Sequence, residues 1–488
     1  MTIGHYPSFY RSKLIKKKLR IPKYRSLCRY NNVGKFIERT RRLATRVIIV
    51  RHGQSTYNAQ KIIQGRCDES VLTDRGIADA QQVGRALSGL KIDAFYCSPL
   101  QRAKQTAEII QAHLESPLQL QPTDRLMEID LPLWEKLKKD EVNIKFENEY
   151  RQWKENPHEF KMTLADATEH FPVVSLYQQA ENFWRDTIFK HRGETILITA
   201  HNGINRCLIM SAIGISRDRY HSIQQSNCCI NILNFTGNFG DPVQLESLNQ
   251  TSHLGIPIPP VRPPHLGPRL LLVRHGETNW NKESRFQGIR DIPLNDNGRT
   301  QGRKASTFLQ NIPINFAVTS SMLRPKETAE IILQHHPNVT LETAPELIEI
   351  CHGLWEGMLE TEIQADYGEL LQQWKDFPAT VQMPEGENLQ QVWDRGVAAW
   401  NKIVAKHSNT DTPKTGLVVA HDAINKVILC YLLGLKPENF WNIKQGNCAV
   451  NVIDYPQGVS GKPVLQAINI TTHLSGGSII DKTAAGAL

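Results

Sequence analysis

Two triplets carry the sharpest chemistry in this chain: Arg51-His52-Gly53 and Arg274-His275-Gly276. Each sets a cation beside an imidazole on one tight turn, and the glycine would let backbone approach a ligand closely. One such triplet alone is most simply a structural histidine at a strand end. The reading changes because each triplet is followed by the same series. A later arginine opens a helix (Arg102, Arg324), a glutamate follows an apolar residue (Glu128, Glu349), and a second histidine follows an apolar run (His201, His421). Arginines grip anions, imidazoles act as nucleophiles or bases, and a carboxyl gives and takes protons.

The segments that must position these residues also occur twice. RVIIVRHGQSTYN at 46–58 matches LLLVRHGETNWN at 270–281, and Gln64-Gly65 matches Gln287-Gly288. SPLQRAKQTAEII at 98–110 matches SSMLRPKETAEII at 320–332, and LMEIDLPLWE at 126–135 matches LIEICHGLWE at 347–356. Ile198 to Asn202 matches Val418 to Asp422, and Asn249 to Leu254 matches Asn469 to Leu474. The offset drifts only from 223 to 220 residues. Six ordered matches make an internal duplication.

Apolar, β-branched runs at 46–50, 195–199, 270–273 and 416–420 predict buried strands. A helix is expected from Thr73-Asp74, with Ile77, Ala80, Val83, Leu87 and Leu90 on one face, and another over Ala103 to Leu114. Strands alternating with helices predict a largely parallel α/β sheet in each half. Each triplet then falls just past the carboxyl end of a strand, where such sheets build their sites.

The chain has 488 residues, of which 40% are hydrophobic and 22% charged, enough for two or three domains with real cores. No run approaches the length of a membrane span. Nine cysteines without a CxxC pair argue against a disulfide scaffold or a zinc finger. The net charge of +8 misleads, because residues 1–46 hold fourteen Lys or Arg and a single acid, Glu38. The remainder is slightly acidic, so no nucleic-acid partner is expected. For residues 1–45 three readings stay open: a transit peptide, a disordered tail, or a stretch outside the true start. The protein is then cytoplasmic, or in the plastid stroma if the leader is a transit peptide. GIPIPPVRPPHLGP at 255–268 holds six prolines in fourteen residues and predicts an extended, semi-rigid spacer. The expected domains are 46–254 and 269–476, with a flexible tail at 477–488.

Five of these elements in order, found twice, resemble the histidine phosphatase superfamily, also called phosphoglycerate mutase-like. The resemblance covers nearly all of 46–254 and 269–474. It implies two tandem phosphoglycerate mutase-like α/β/α sandwich domains and neither metal nor cofactor. It further implies that His52 or His275 attacks phosphorus to give a phosphohistidine. Arg51, Arg102 and His201 would hold the transferring oxygens in the first half, and Arg274, Arg324 and His421 in the second. Glu128 or Glu349 would protonate the leaving oxygen and then activate water. Asn58 and Asn281 are either further phosphate contacts or turn residues that order the RHG loop.

Members of this superfamily move phosphate within a glycerate or hydrolyse it. The mutase branch carries a long insertion between acid and late histidine. Here that gap is 73 residues in one half and 72 in the other, which favours hydrolysis. The implied function is a phosphomonoesterase for a small carboxylated metabolite, phosphoserine-like or a sugar-acid phosphate. The alternatives are a 2,3-bisphosphoglycerate-dependent mutase, or a degenerate phosphate-binding regulatory module in the first half. EICHGLWEGM at 349–358 resembles metal-independent phosphoserine phosphatases, a likeness that implies substrate contact by His352. The tandem arrangement resembles cyanobacterial two-domain histidine phosphatases and plant chloroplast 2-carboxyarabinitol-1-phosphate phosphatases. The first half has Leu131, Pro132 and Lys136 where the second has His352, Gly353 and Gly357. The second half is therefore expected to carry most of the turnover. The two halves can pair as an intramolecular pseudo-dimer.

Overall fold

The structure is a computed structural model and describes residues 44–115, 118–408 and 412–483. The expectations for the leader fall almost wholly outside the described residues. The first half contains strands β1 (Thr45–Arg51), β2 (Ala94–Cys97), β3 (Leu120–Pro122), β4 (Met162–Thr163), β5 (Glu169–His170), β6 (Thr195–Ala200), β7 (Ile230–Phe235) and β8 (Val243–Gln250). The second contains β9 (Arg269–Arg274), β10 (Phe316–Ser320), β11 (Leu341–Ala344), β12 (Thr415–Ala420), β13 (Val450–Asp454) and β14 (Val464–Ile470). Apart from the small β4-β5 hairpin, they form one twelve-stranded sheet in the order β11-β10-β12-β9-β13-β14-β8-β7-β1-β6-β2-β3.

Within each half the four strands around the RHG loop pair in parallel, as the alternating pattern predicts: β1 with β6, β6 with β2, β2 with β3. The last two strands, β7 and β8, run antiparallel, as do β13 and β14. The connection from Phe235 to Val243 is too short for the crossover a parallel pair needs, so the sheets are mixed.

The halves meet edge to edge, β8 against β14, with Leu248 opposite Ile468. Asn249 donates its side-chain amide to the Gln466 carbonyl (2.6 Å), and Asn469 donates to the Glu246 carbonyl (2.8 Å). These two bonds are copies of each other across the join. They cover the edge of each half-sheet, which would otherwise be an open template for aggregation.

Successive side chains of a strand point to opposite faces. Val47 and Ile49 of β1, with Leu270 and Leu272 of β9, enter one core shared by both halves. Ile48 and Val50 face a separate core, and Leu271 and Val273 a third. The spacer at 255–268 is tied down: Ile258 is buried in the second half's own core, and the Pro259 carbonyl accepts from Arg269. Of the tail at 477–488, residues 477–483 are described. Ile479 packs into the first half's core, and Asp481 stands 3.3 Å from Lys444 because burial of that carboxylate demands a cation. No described helix is long and apolar enough to cross a membrane.

Candidate active sites

Each RHG loop is pinned to the sheet and to the following helix. His52 N–H donates to the Ala200 carbonyl (2.9 Å) and His275 N–H to the Ala420 carbonyl (3.0 Å). Gly53 N–H donates to Thr106 Oγ1 and Gly276 N–H to Thr328 Oγ1, both at 3.1 Å. The glycines let the loop and helix backbones pack in contact. A Cβ on Gly53 would lie 2.4 Å from the Gly76 carbonyl oxygen, and one on Gly276 would lie 2.5 Å from that of Gly298. Gly76 and Gly298 open the helices Asp74–Leu87 and Asp296–Leu309, whose starts are capped by Thr73 and Asn295. Loop and helix backbones therefore touch directly.

This pinning sets the imidazole's tautomer. His52 Nδ1 lies 2.7 Å from the Gly53 carbonyl, and His275 Nδ1 lies 2.7 Å from that of Gly276. A carbonyl only accepts, so Nδ1 carries the proton and Nε2 keeps its lone pair. Both imidazoles are held well below their usual pKa, first by burial and then by the arginines beside them. They are neutral at pH 7. In the second half Arg324 Nε donates to His275 Nε2 (3.2 Å), which confirms that nitrogen as the acceptor.

The arginines are fixed by backbone carbonyls and left with spare donors. Arg51 donates to the Gln225 carbonyl (2.8 Å) and Arg274 to that of Gln445 (2.7 Å). Arg102 donates to the Cys67 and Gly65 carbonyls, and Arg324 to those of Arg290 and Gly288, all at 2.9 Å. Nε of Arg51, Arg102 and Arg274 is buried without a partner among the described residues. Such donors are costly to leave unmet, and an anion between them would satisfy them.

The late histidines flank the first ones, edge to face, at 5.1 Å for His52 and His201 and 5.2 Å for His275 and His421. His201 Nε2 shares a hydrogen bond with Ser98 Oγ (2.8 Å), as His421 Nε2 does with Ser320 Oγ (2.9 Å). The glutamates sit on the first turn of the helix behind each late histidine. Glu128 accepts from the N–H groups of Gly203 and Ile204, and Glu349 from those of Asp422 and Ala423. Burial, and then the nearby Asp422 carboxylate, raise the pKa of Glu349.

Asn58 and Asn281 cap the short helices after the RHG loops. Their side-chain oxygens accept from Ser55 and Thr278 N–H, and from the amides of Asn227 and Asn447. Asn227 and Asn447 also donate to the His52 and His275 carbonyls, so both asparagines order the loop. Asn58 also lines the cavity described below. His352 stands three residues after Glu349. Its ring is fully buried, edge-on to Phe286 and Trp374, with no partner on either nitrogen among the described residues. Burial pushes it down to about 3, so it stays neutral within an apolar cage.

Sequence reasoning missed several groups. Ser98 and Ser320 were quoted in the repeat without a role. The carbonyl of each glutamate is held by an arginine from a different place: Arg66 on Glu128 (3.2 Å) and Arg395 on Glu349 (2.9 Å). No repeat signal exists for that pair. Arg206 could have been found, since it stands one helical turn after Asn202. Over the first half's cluster lies a cavity of about 990 Å³ that reaches Arg51, His52, Asn58, Arg102 and Glu128.

An α/β sheet that presents a neutral, buried imidazole among unpartnered guanidinium donors makes a pocket suited to a phosphoryl anion. The family model of the histidine phosphatase superfamily (branch 1) matches residues 47–249 and 270–471, and the chain belongs to that superfamily. Over 450 residues the chain is 30% identical to 2-carboxy-D-arabinitol-1-phosphatase from Triticum aestivum, a match spanning 89% of this chain and 88% of that protein. A probable 2-carboxy-D-arabinitol-1-phosphatase from Arabidopsis thaliana is likewise 30% identical, over 89% of each chain. Phosphoserine phosphatase 1 from Hydrogenobacter thermophilus is 30% identical over 42% of this chain and 94% of its own length.

Proposed function

We propose that the protein is a phosphomonoesterase for a small carboxylated phosphometabolite, working through a phosphohistidine. The observation that carries this is the buried imidazole whose Nδ1–H is spent on a glycine carbonyl, leaving Nε2 unprotonated beside the arginines, of which Arg51, Arg102 and Arg274 keep an unpartnered Nε among the described residues. The two arginines of each cluster and the late histidine would receive the phosphoryl oxygens. Nε2 would attack phosphorus as the ester P–O bond breaks, and Glu128 or Glu349 would give its proton to the leaving oxygen. Water would then attack the phosphohistidine, losing its proton to the same glutamate, and the P–N bond would break to release phosphate. The raised pKa of Glu349 suits a proton donor. The open cavity over the first cluster admits water, which favours hydrolysis over mutase chemistry. The plant relatives named above support a sugar-acid phosphate, and the bacterial one phosphoserine. On this reading the reaction needs no metal. The setting is the cytoplasm, or the plastid stroma where residues 1–45 serve as a transit peptide.

The test is hydrolysis of p-nitrophenyl phosphate, phosphoserine and 2-carboxyarabinitol 1-phosphate by the full chain with EDTA present. Turnover should persist, vanadate should inhibit it, and quenching should trap acid-labile phosphate on histidine. Loss of activity on chelation would sink the mechanism.

A further inference from the structure

The cavity over the first cluster is walled by more cations than one phosphoryl group requires. Besides Arg51 and Arg102 it is lined by Lys139, Lys154, Arg206 and Arg262. Lys139 and Lys154 lie on the helices Lys139–Lys145 and Glu147–Glu155, Arg206 on Asn202–Ile213, and Arg262 in the proline-rich spacer. None of the four is ion-paired among the described residues, whereas two further cations of the wall, Arg219 and Lys462, face Asp218 at 3.5 and 3.9 Å.

The four converge on one another. Arg51, Arg262 and Arg206 are the chief charges felt by Lys139, while Lys139 and Arg206 are those felt by Lys154. Arg51 and Arg206 are in turn the chief cations felt by Arg262. Lys139, Lys154 and Arg262 remain open to the water of the cavity mouth, yet the surrounding walls and cations push Lys154 down to about 8 and Arg262 to about 10. Like charges gathered this way oppose folding, and an anion among them relieves the repulsion.

The duplication shows that the fold does not demand this. At the position of Lys139 the second half has Glu360, ion-paired with Lys375, the counterpart of Lys154. The same two helical positions carry two cations in one half and a neutral pair in the other. The wall is also shared: Gln457 and Gln466 of the second half and Arg262 of the spacer close it.

We infer that Lys139, Lys154, Arg206 and Arg262 form a second anion subsite, which selects phosphomonoesters bearing another anionic group, carboxylate or phosphate, at the far end. The inference rests on the reading of the first half as a phosphatase. It also makes that half's selectivity depend on the spacer and on the second half.

The experiment uses the full chain carrying His275→Ala, so that turnover reports the first half. The substrates are p-nitrophenyl phosphate, 3-phosphoglycerate and fructose 1,6-bisphosphate. A compound with two anions should exceed p-nitrophenyl phosphate in kcat/KM by ten-fold or more, and whether carboxylate or bisphosphate leads identifies the second group. Lys139→Glu and Arg262→Ala should each lower that ratio by about ten-fold, the scale of a lost charge-assisted hydrogen bond. A ratio near one, or one that neither substitution moves, overturns the subsite while leaving the phosphatase reading intact. Should the His275→Ala chain turn over none of the three, the phosphatase reading of the first half fails instead. Calorimetric binding of 3-phosphoglycerate then decides the subsite: about ten-fold weaker binding in both variants upholds it, and equal binding overturns it.

Discussion

Behind its late histidine the first half carries Asn202 and Arg206, and the second carries Asp422 and Lys426. Asp422 stands 3.6 Å from Arg274, and it takes Lys426 as its own partner at 2.8 Å. Lys426 is further covered by the rings of Phe440 and Trp441, at 4.9 and 4.8 Å. Arg206 instead meets Tyr220, His221 and Gln224 and keeps its charge unanswered by any carboxylate partner among the described residues. The hydrogen bonds that set the imidazole, the arginines and the glutamate are nearly identical in the two copies. Duplication has therefore preserved the arginine, histidine and glutamate cluster and changed the charge around it. The expectation that the second half leads rested on loop glycines and His352. The charge comparison points the other way for substrates with two anions, because a carboxylate beside Arg274 repels them.

The strongest way to break this comparison is to remove each nucleophile in turn. His52→Ala and His275→Ala should each silence their own half by several orders of magnitude in kcat. With a two-anion substrate, His52→Ala should remove the larger share of steady-state turnover. If His275→Ala removed it instead, the charge argument would be wrong.

A pH series sharpens the contrast. Lys154 is pushed down to about 8, because the cavity walls around it, Lys139 and Arg206 disfavour its charge. His221 also faces it, and Tyr150 lies beneath it. With His275→Ala in place, KM for a two-anion substrate should rise several-fold as pH passes 8. KM for p-nitrophenyl phosphate should rise less.

Asp422→Asn should bring the second half toward the first. Its loss frees Lys426 and removes a repulsive charge, so KM for phosphomonoesters in a His52→Ala background should fall by a few-fold. Glu349 should also titrate lower, moving the basic limb of the kcat profile to lower pH. An unchanged profile would show that Asp422 acts only in packing.

The smallest effect tests the symmetry of the scaffold. Thr73 Oγ1 accepts from Gly76 N–H (3.1 Å), and Asn295 Oδ1 accepts from Gly298 N–H (2.8 Å). Each cap replaced by alanine should cost about 1 kcal/mol in denaturant unfolding. Clearly unequal losses would mean that the halves differ in framework as well as in charge.

The sequence by itself determined the duplication, the strands at 46–50, 195–199, 270–273 and 416–420, and the arginines, histidines and glutamates of both clusters. Those signals are local: an apolar run dictates a buried strand, and a triplet at its end needs only that strand to be placed. What depended on packing was out of reach. The purpose of Gly53 emerged only when Gly76 met it backbone to backbone, and the enclosure of His352 only when Phe286 and Trp374 closed around it. The joining of two half-sheets through β8 and β14 leaves no mark in either strand beyond a buried asparagine. Lys139, Lys154 and Arg262 are unremarkable cations along the chain, and Arg206 is marked only by its place one helical turn after Asn202. Charge acts through space and not along the sequence, so only the tertiary structure, by bringing three helices and a spacer to one cavity, decided that they act together.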